Sequence, residues 1–192
     1  ITGNRGKTFS KNASSWCRPD TRCLRAMKQP MQERESIYQG EVVNLGLETV
    51  TLPNQQTLRL EVVRHPGGAA AVAVDANNQV CLLRQYRHAA GGWLWELPAG
   101  KIDHPESPAN TARRELQEEA GITAMQWHRL GDFLSTPGFC DERIHLYLAQ
   151  SLNQTETDRH PDEVIEVHWI SFEQALEWIA SGEIVDAKTI LG

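Results

Sequence analysis

No apolar run in the 192-residue chain is long enough to cross a bilayer as a helix, which excludes a helical membrane span. The first 30 residues also lack the hydrophobic centre of a secretory signal, so the expectation is a cytoplasmic protein with no membrane partner. Cysteine is scarce. Cys17, Cys23, Cys81 and Cys140 have neither metal-ligand spacing nor the density of a disulfide scaffold, and they read as free thiols. The seven histidines are scattered, with no His-x-x-x-His or Cys-His pairing, which argues against zinc. No His-bearing motif stands beside Cys140, so a thiol nucleophile is not expected there. The chain contains no internal repeat and no low-complexity tract.

Basic charge is scarce in most of the sequence. Residues 1–30 carry seven of the 19 Lys and Arg against one acid, Asp20, and the remainder holds 12 bases against 24 acids. A basic arm for nucleic acid is one reading of the first segment. Its lack of apolar patterning favours another: residues 1–30 are a disordered or non-native extension, Met31 is the native start, and residues 31–192 form one domain without a nucleic-acid partner.

From Ser36 onward, strand signals appear. "IYQGEVVNLGLETVTL" and "QTLRLEVVRH" alternate around the polar turn "PNQQ", predicting an N-terminal antiparallel hairpin. "AAAVAVDANNQVCLLRQYR" predicts two strands reversing at Asp75–Asn78. "WHRLGDFLST", "RIHLYLAQ" and "IEVHWIS" predict three more. Ser107 before Pro108 marks a helix start and Gly121 its end, while Ser171 with Gln174 opens a second helix that Gly182 closes.

The first helix carries "ELQEE". At roughly 100° per residue, Glu115, Glu118 and Glu119 fall on one stripe, beside the apolar stripe of Ala109, Ala112, Leu116 and Ala120 and not opposite it. Such carboxylates overlook the edge of the core, where a cation can offset their repulsion. Clustered carboxylate oxygens suit Mg²⁺ or Mn²⁺, and Arg114 is placed to brace them by ion pairing. Taken alone, "ELQEEAG" also reads as a solvated acidic face.

The full spacing is more specific. Gly100, Glu106, Arg114-Glu115-Leu116, Glu118-Glu119 and Gly121-Ile122 match every fixed position of the Nudix box, and on these residues the chain resembles the Nudix hydrolases. "RQYRHAAGGWLWELPAGKID", "STPGFCDE" and Pro137, sixteen residues beyond Gly121, resemble the ADP-ribose pyrophosphatase branch, as does "FEQALEWIASGEIVDAKTIL". The similarity runs from Ile37 to the end, and the stop within "DAKTILG" reads as truncation of a final helix.

The resemblance implies an α/β (α+β) fold, a mixed β-sheet sandwiched between helices. It also implies Mg²⁺-dependent hydrolysis of ADP-ribose to AMP and ribose 5-phosphate, by a homodimer whose N-terminal strands cross to the partner. Hydrolysis of another nucleoside diphosphate sugar, such as GDP-mannose, is the alternative; a non-catalytic ADP-ribose sensor is disfavoured because the box glutamates are all present. By the same resemblance, Glu115, Glu118, Glu119 and the Ala99 carbonyl ligate the metal, and Arg87, Glu96 and Pro137 serve the substrate. The general base is expected at Glu163, with Asp162 as the neighbouring register, Glu142 as competitor and a box glutamate such as Glu119 as a further alternative. Trp93 and Trp95 are read as core or interface residues.

Overall fold

The computed structural model describes residues 33–192; the basic segment 1–30, Met31, Cys17 and Cys23 lie outside the described residues. Strands β1 (Glu33–Gln39), β2 (Asn44–Thr51) and β3 (Thr57–Arg64) form an antiparallel sheet in that order. The expected hairpin is β2–β3, closed at "PNQQ" where Gln55 adopts a φ of 68°. The strand expected to start at Ile37 is broken in two, because Gly40 donates its N–H to Val43 O at 2.8 Å and reverses the chain.

The body is built from β4 (Gly68–Ala73), β5 (Gln79–Arg87), β6 (Gly92–Glu96), β7 (Ala99–Lys101), helix α1 (Pro108–Ala120), β8 (Ile122–Leu134), β9 (Arg143–Gln154) and β10 (Ile165–Ser171). Helices α2 (Phe172–Ser181) and α3 (Ala187–Leu191) complete it. One sheet runs β7-β4-β9-β8, with β4 and β9 parallel; the other runs β10-β5-β6.

The chain reverses at Asp75–Asn78 as expected, with Asp75 N–H donating to Gln79 O at 3.0 Å and an antiparallel bridge between Val74 and Val80. The Asp75 carboxylate accepts the N–H groups of Asn77 and Gln79 at 2.8 Å each, and beyond the Val74–Val80 bridge β4 and β5 do not pair as a ladder. Both edges of β4 are already taken, by β7 and β9, so β5 pairs elsewhere. Its small residues, "GAAAVA", let neighbours approach both faces, and all six are buried.

Alternation along β4 and β5 divides the core. Val72, Val80 and Leu82 pack with Ala175 of α2 and Ile184, whereas Ala71, Ala73, Cys81 and Leu83 pack with Leu116 and Ala120 of α1 and with Ile122. The β layer thus lies between helices, as expected. Cys81 and Cys140 are free thiols, and burial pushes the Cys81 thiol up to about 12. Among the described residues no helix is long and apolar enough to cross a membrane.

Helix α1 has the predicted ends. Ser107 Oγ accepts from Asn110 N–H at 3.3 Å, Pro108 fills the first turn, and Gly121 at φ 65° returns its N–H to Gln117 O at 2.9 Å. A Cβ on Gly121 would also meet Thr155 O at 2.8 Å. Ser171 and Gly182 bound α2 in the same manner.

Leu116 is fully buried beneath β4 and β5, so Leu116→Ala is expected to destabilise the fold by about 2–5 kcal/mol. Denaturant unfolding measures this as a lower midpoint with an unchanged slope.

Candidate active site

A cleft of about 600 Å³ opens where β7, α1, β5 and α3 meet, and Arg87, Ala99, Gly100, Glu115, Glu119, Glu142, Glu163 and Lys188 are among its lining residues. The stripe read from "ELQEE" divides inside it. Glu115 and Glu119 are buried, 7% and 2% exposed, while the Glu118 side chain is 33% exposed in an adjoining groove with Arg114 and Arg159.

Short β7 fixes these carboxylates. Ala99 N–H donates to Glu119 Oε2 at 2.8 Å. Beside it, a Cβ added to Gly100 would stand 1.9 Å from Glu115 Oε1, so glycine is what lets the carboxylate lie against the backbone. Arg114 braces the group as expected: its Nη1 lies 2.7 Å from Glu115 Oε1 and 2.8 Å from Glu118 Oε2, and its Nη2 lies 3.1 Å from Glu106 Oε2. Thr111 Oγ1 donates to the same Glu106 oxygen at 2.9 Å.

Burial sets the charge state. Desolvation pushes Glu115 up to about 7, against the pull of Arg114, with Glu118 and Glu163 adding repulsion. Desolvation pushes Glu119 up to about 8, opposed by the Ala99 N–H and reinforced by Glu115 and Glu163.

On the opposite wall, Arg87 donates through Nε and Nη2 to Glu96 at 2.9 and 3.0 Å. Glu96 is only 2% exposed and also holds Lys188, so it lies beneath the cleft surface and acts on the cleft through Arg87. Burial raises the Glu96 carboxyl, but Arg87 and Lys188 outweigh that and hold it below its ordinary value.

The two candidate bases both reach the cleft. Glu142 accepts from Ser135 Oγ at 2.5 Å and lies 3.4 Å from His65 Nδ1. Glu163 follows a loop tied to the end of α1: Asp158 N–H donates to Glu118 O at 3.0 Å, and Arg159 donates to Glu119 O and Ile165 O at 2.7 and 2.9 Å. Asp162 turns outward, its side chain 89% exposed and paired with His160.

Pro137 is exposed on a turn and is not among the residues lining the cleft. Trp93 and Trp95 also lie away from it, packed against Tyr86, His168 and Trp178. Sequence reasoning missed Arg159, Asp186 and Lys188. The last two stood in plain view in "DAKT", but only tertiary contact reveals their partners.

Among the described residues, no three acidic, His or Cys side chains converge tightly enough to hold a metal as they stand, because Arg114 spans Glu115 and Glu118. The donor set nevertheless fits a hard divalent cation: two buried carboxylates with raised pKa values, a glycine cradle and no soft ligand.

Raised carboxyl pKa values make the folded state the stronger proton binder from the ordinary 4.5 up to about 7 and 8. Metal-free stability contributed by these groups is therefore full below that window and lost as pH rises through it. Glu119→Gln is expected to flatten this dependence and to raise the metal-free melting temperature at the alkaline end, which thermal unfolding across the pH range would measure.

A NUDIX domain family model matches residues 64–190. The chain is 37% identical over 168 residues to a Bacillus subtilis protein named ADP-ribose pyrophosphatase, covering 86% of this chain and 91% of that one. It is 40% identical over 159 residues to the methanol dehydrogenase activator of Bacillus methanolicus, covering 82% and 86%. A crystal structure titled ADP compounds hydrolase superposes with a TM-score of 0.72 over 83% of this chain and 87% of that chain; at 18% identity it speaks to the fold alone. With this match over most of its length, and with Gly100, Glu115 and Glu119 of the box lining one cleft, the chain belongs to the Nudix family of hydrolases.

Proposed function

We propose that the chain hydrolyses the pyrophosphate bond of ADP-ribose, giving AMP and ribose 5-phosphate. The observation that carries this reading is the placement of buried Glu115 and Glu119 in the same cleft as Arg87, a cation-seeking wall facing a phosphate-seeking one. The name of the Bacillus subtilis relative supports ADP-ribose as the substrate.

Glu115, Glu118, Glu119 and the Ala99 carbonyl would hold the divalent cation, for which oxygen-only ligands favour Mg²⁺, with Mn²⁺ as a substitute. When bound, the cation neutralises the diphosphate and acidifies water. Arg87 binds phosphate through Nη1, its Nε and Nη2 being held by Glu96. Glu163 takes the proton of the attacking water; the outward turn of Asp162 favours Glu163 of the two. Glu142, already accepting from Ser135, assists substrate binding. Pro137 would shape the turn that precedes Glu142, with no substrate contact of its own.

The active form is a homodimer paired through the N-terminal sheet. Ile37, Tyr38 and Val42 are 52%, 60% and 49% exposed, and Val42 also borders the cleft. Isologous pairing of such a patch is the common route for soluble enzymes. With a formal net charge of −6, the chain is suited to a small nucleotide held by local cations and not to nucleic acid, and the cytoplasm is its proposed site of action.

A panel of nucleoside diphosphate sugars with Mg²⁺, read as phosphate released after phosphatase coupling, tests the activity. ADP-ribose is expected to give the highest kcat/KM; a preference for GDP-mannose, or no turnover, would overturn the substrate assignment. In the same assay Glu163→Gln is expected to lower kcat by roughly 10²- to 10⁴-fold with little change in KM, because general-base help is felt only in the transition state. An unchanged kcat would remove Glu163 from that role.

A further inference from the structure

The tetrapeptide Asp186-Ala187-Lys188-Thr189 directs the side chains of Lys188 and Thr189 onto the strand segment beneath the cleft, and Asp186 holds both of them. Asp186 caps α3, its Oδ2 accepting from Thr189 N–H at 2.9 Å and from Thr189 Oγ1 at 2.6 Å. Its Oδ1 lies 3.1 Å from Lys188 Nζ. Thr189 Oγ1 in turn accepts the N–H of Leu97 at 2.9 Å. Lys188 Nζ donates to Glu96 Oε2, the oxygen that also receives Arg87 Nη2. The end of the chain is thereby stitched to residues 96 and 97, which lead directly to Ala99 and Gly100.

The Glu96 carboxylate is almost wholly buried, and a buried carboxylate is stable only when its lone pairs are filled by donors. Two cations fill them here. Because Lys188 supplies part of that demand, Arg87 commits only Nε and Nη2, and its Nη1 has no protein partner among the described residues. Without the ammonium, Glu96 Oε2 would keep only the Arg87 Nη2 donor, and the whole buried charge would fall on Arg87, pulling the guanidinium inward from the cleft.

We propose that Lys188 is a positioning residue that keeps Arg87 Nη1 available for a substrate phosphate by sharing the buried charge of Glu96. This rests on the phosphate-binding role of Arg87 given above. Lys188 acts through Glu96 and Arg87 and need not touch the substrate.

Steady-state kinetics with ADP-ribose, alongside ADP binding by calorimetry and thermal unfolding, test this in Lys188→Met, Lys188→Arg and the double variant Lys188→Met/Glu96→Gln. Lys188→Met is expected to raise KM and weaken ADP binding by about tenfold with kcat within about twofold, a split that marks lost binding and not lost chemistry. Lys188→Arg should restore most of the affinity. The double variant should bind more tightly than Lys188→Met alone, because removing the Glu96 charge removes the pull on Arg87. An unchanged ADP affinity in Lys188→Met, even with a lowered melting temperature, would overturn the proposal, as would a double variant no tighter than the single. Should Lys188→Met not fold, Lys188→Gln carries the same comparison. Wild-type turnover separately tests the ADP-ribose activity; were it absent, ADP affinity of the variants would still decide the role of Lys188.

Discussion

Everything in this cleft depends on two carboxylates kept out of water on one flank of α1. Glu115 and Glu119 lie against a three-residue strand that offers one N–H and one glycine, and among the described residues only Arg114 makes a direct cationic contact with either. Burying ionised carboxylates costs several kcal/mol each unless they are neutralised, protonated or given a metal. Burial without a full complement of donors raises the Glu115 and Glu119 pKa values to about 7 and about 8, so both hold protons more tightly than free carboxyls. A site held in this state gains most from a ligand that brings positive charge.

The rest of the fold makes the burial tolerable. Leu116, on the neighbouring stripe of α1, anchors the helix in the core, and the caps at Ser107 and Gly121 fix where the helix starts and stops. The carbonyls at its C-terminal end are taken by Gly121, Asp158 and Arg159, so the helix terminus and the loop bearing Glu163 are one hydrogen-bonded unit. Across the cleft, Glu96 organises Arg87 and Lys188. Negative and positive walls are thus each held by short-range contacts, and a diphosphate with its cation complements both.

How much of this was legible in the sequence differed by element. Both long helices could be delimited, because capping serines and closing glycines act locally and leave a local signature. Helical periodicity puts Glu115, Glu118 and Glu119 side by side, and the resemblance to the Nudix box is what pairs them with their chemistry. The reversal at Asp75–Asn78 could be read, but the partners of β5 could not, because both edges of β4 are occupied by strands distant in sequence. Strands β6 and β7 and the Gly40 reversal were also not foreseen, being too short to show a period. The division of the acidic stripe into two buried members and one half-exposed member depends on β7 and Arg114. Lys188 and Arg159 act over contacts that no sequence window spans.

The most direct test of the account is proton release on cation binding. A raised carboxyl pKa means that a divalent cation displaces protons when it binds, since carboxylate ligands must be ionised. Calorimetric titration of the metal-free protein with Mn²⁺ in buffers of differing ionisation enthalpy, at about pH 7 and again well above the pKa of Glu119, measures that release. The account predicts net proton release near neutrality that fades at the higher pH. Binding with no proton release near neutrality, or release independent of pH, would contradict it.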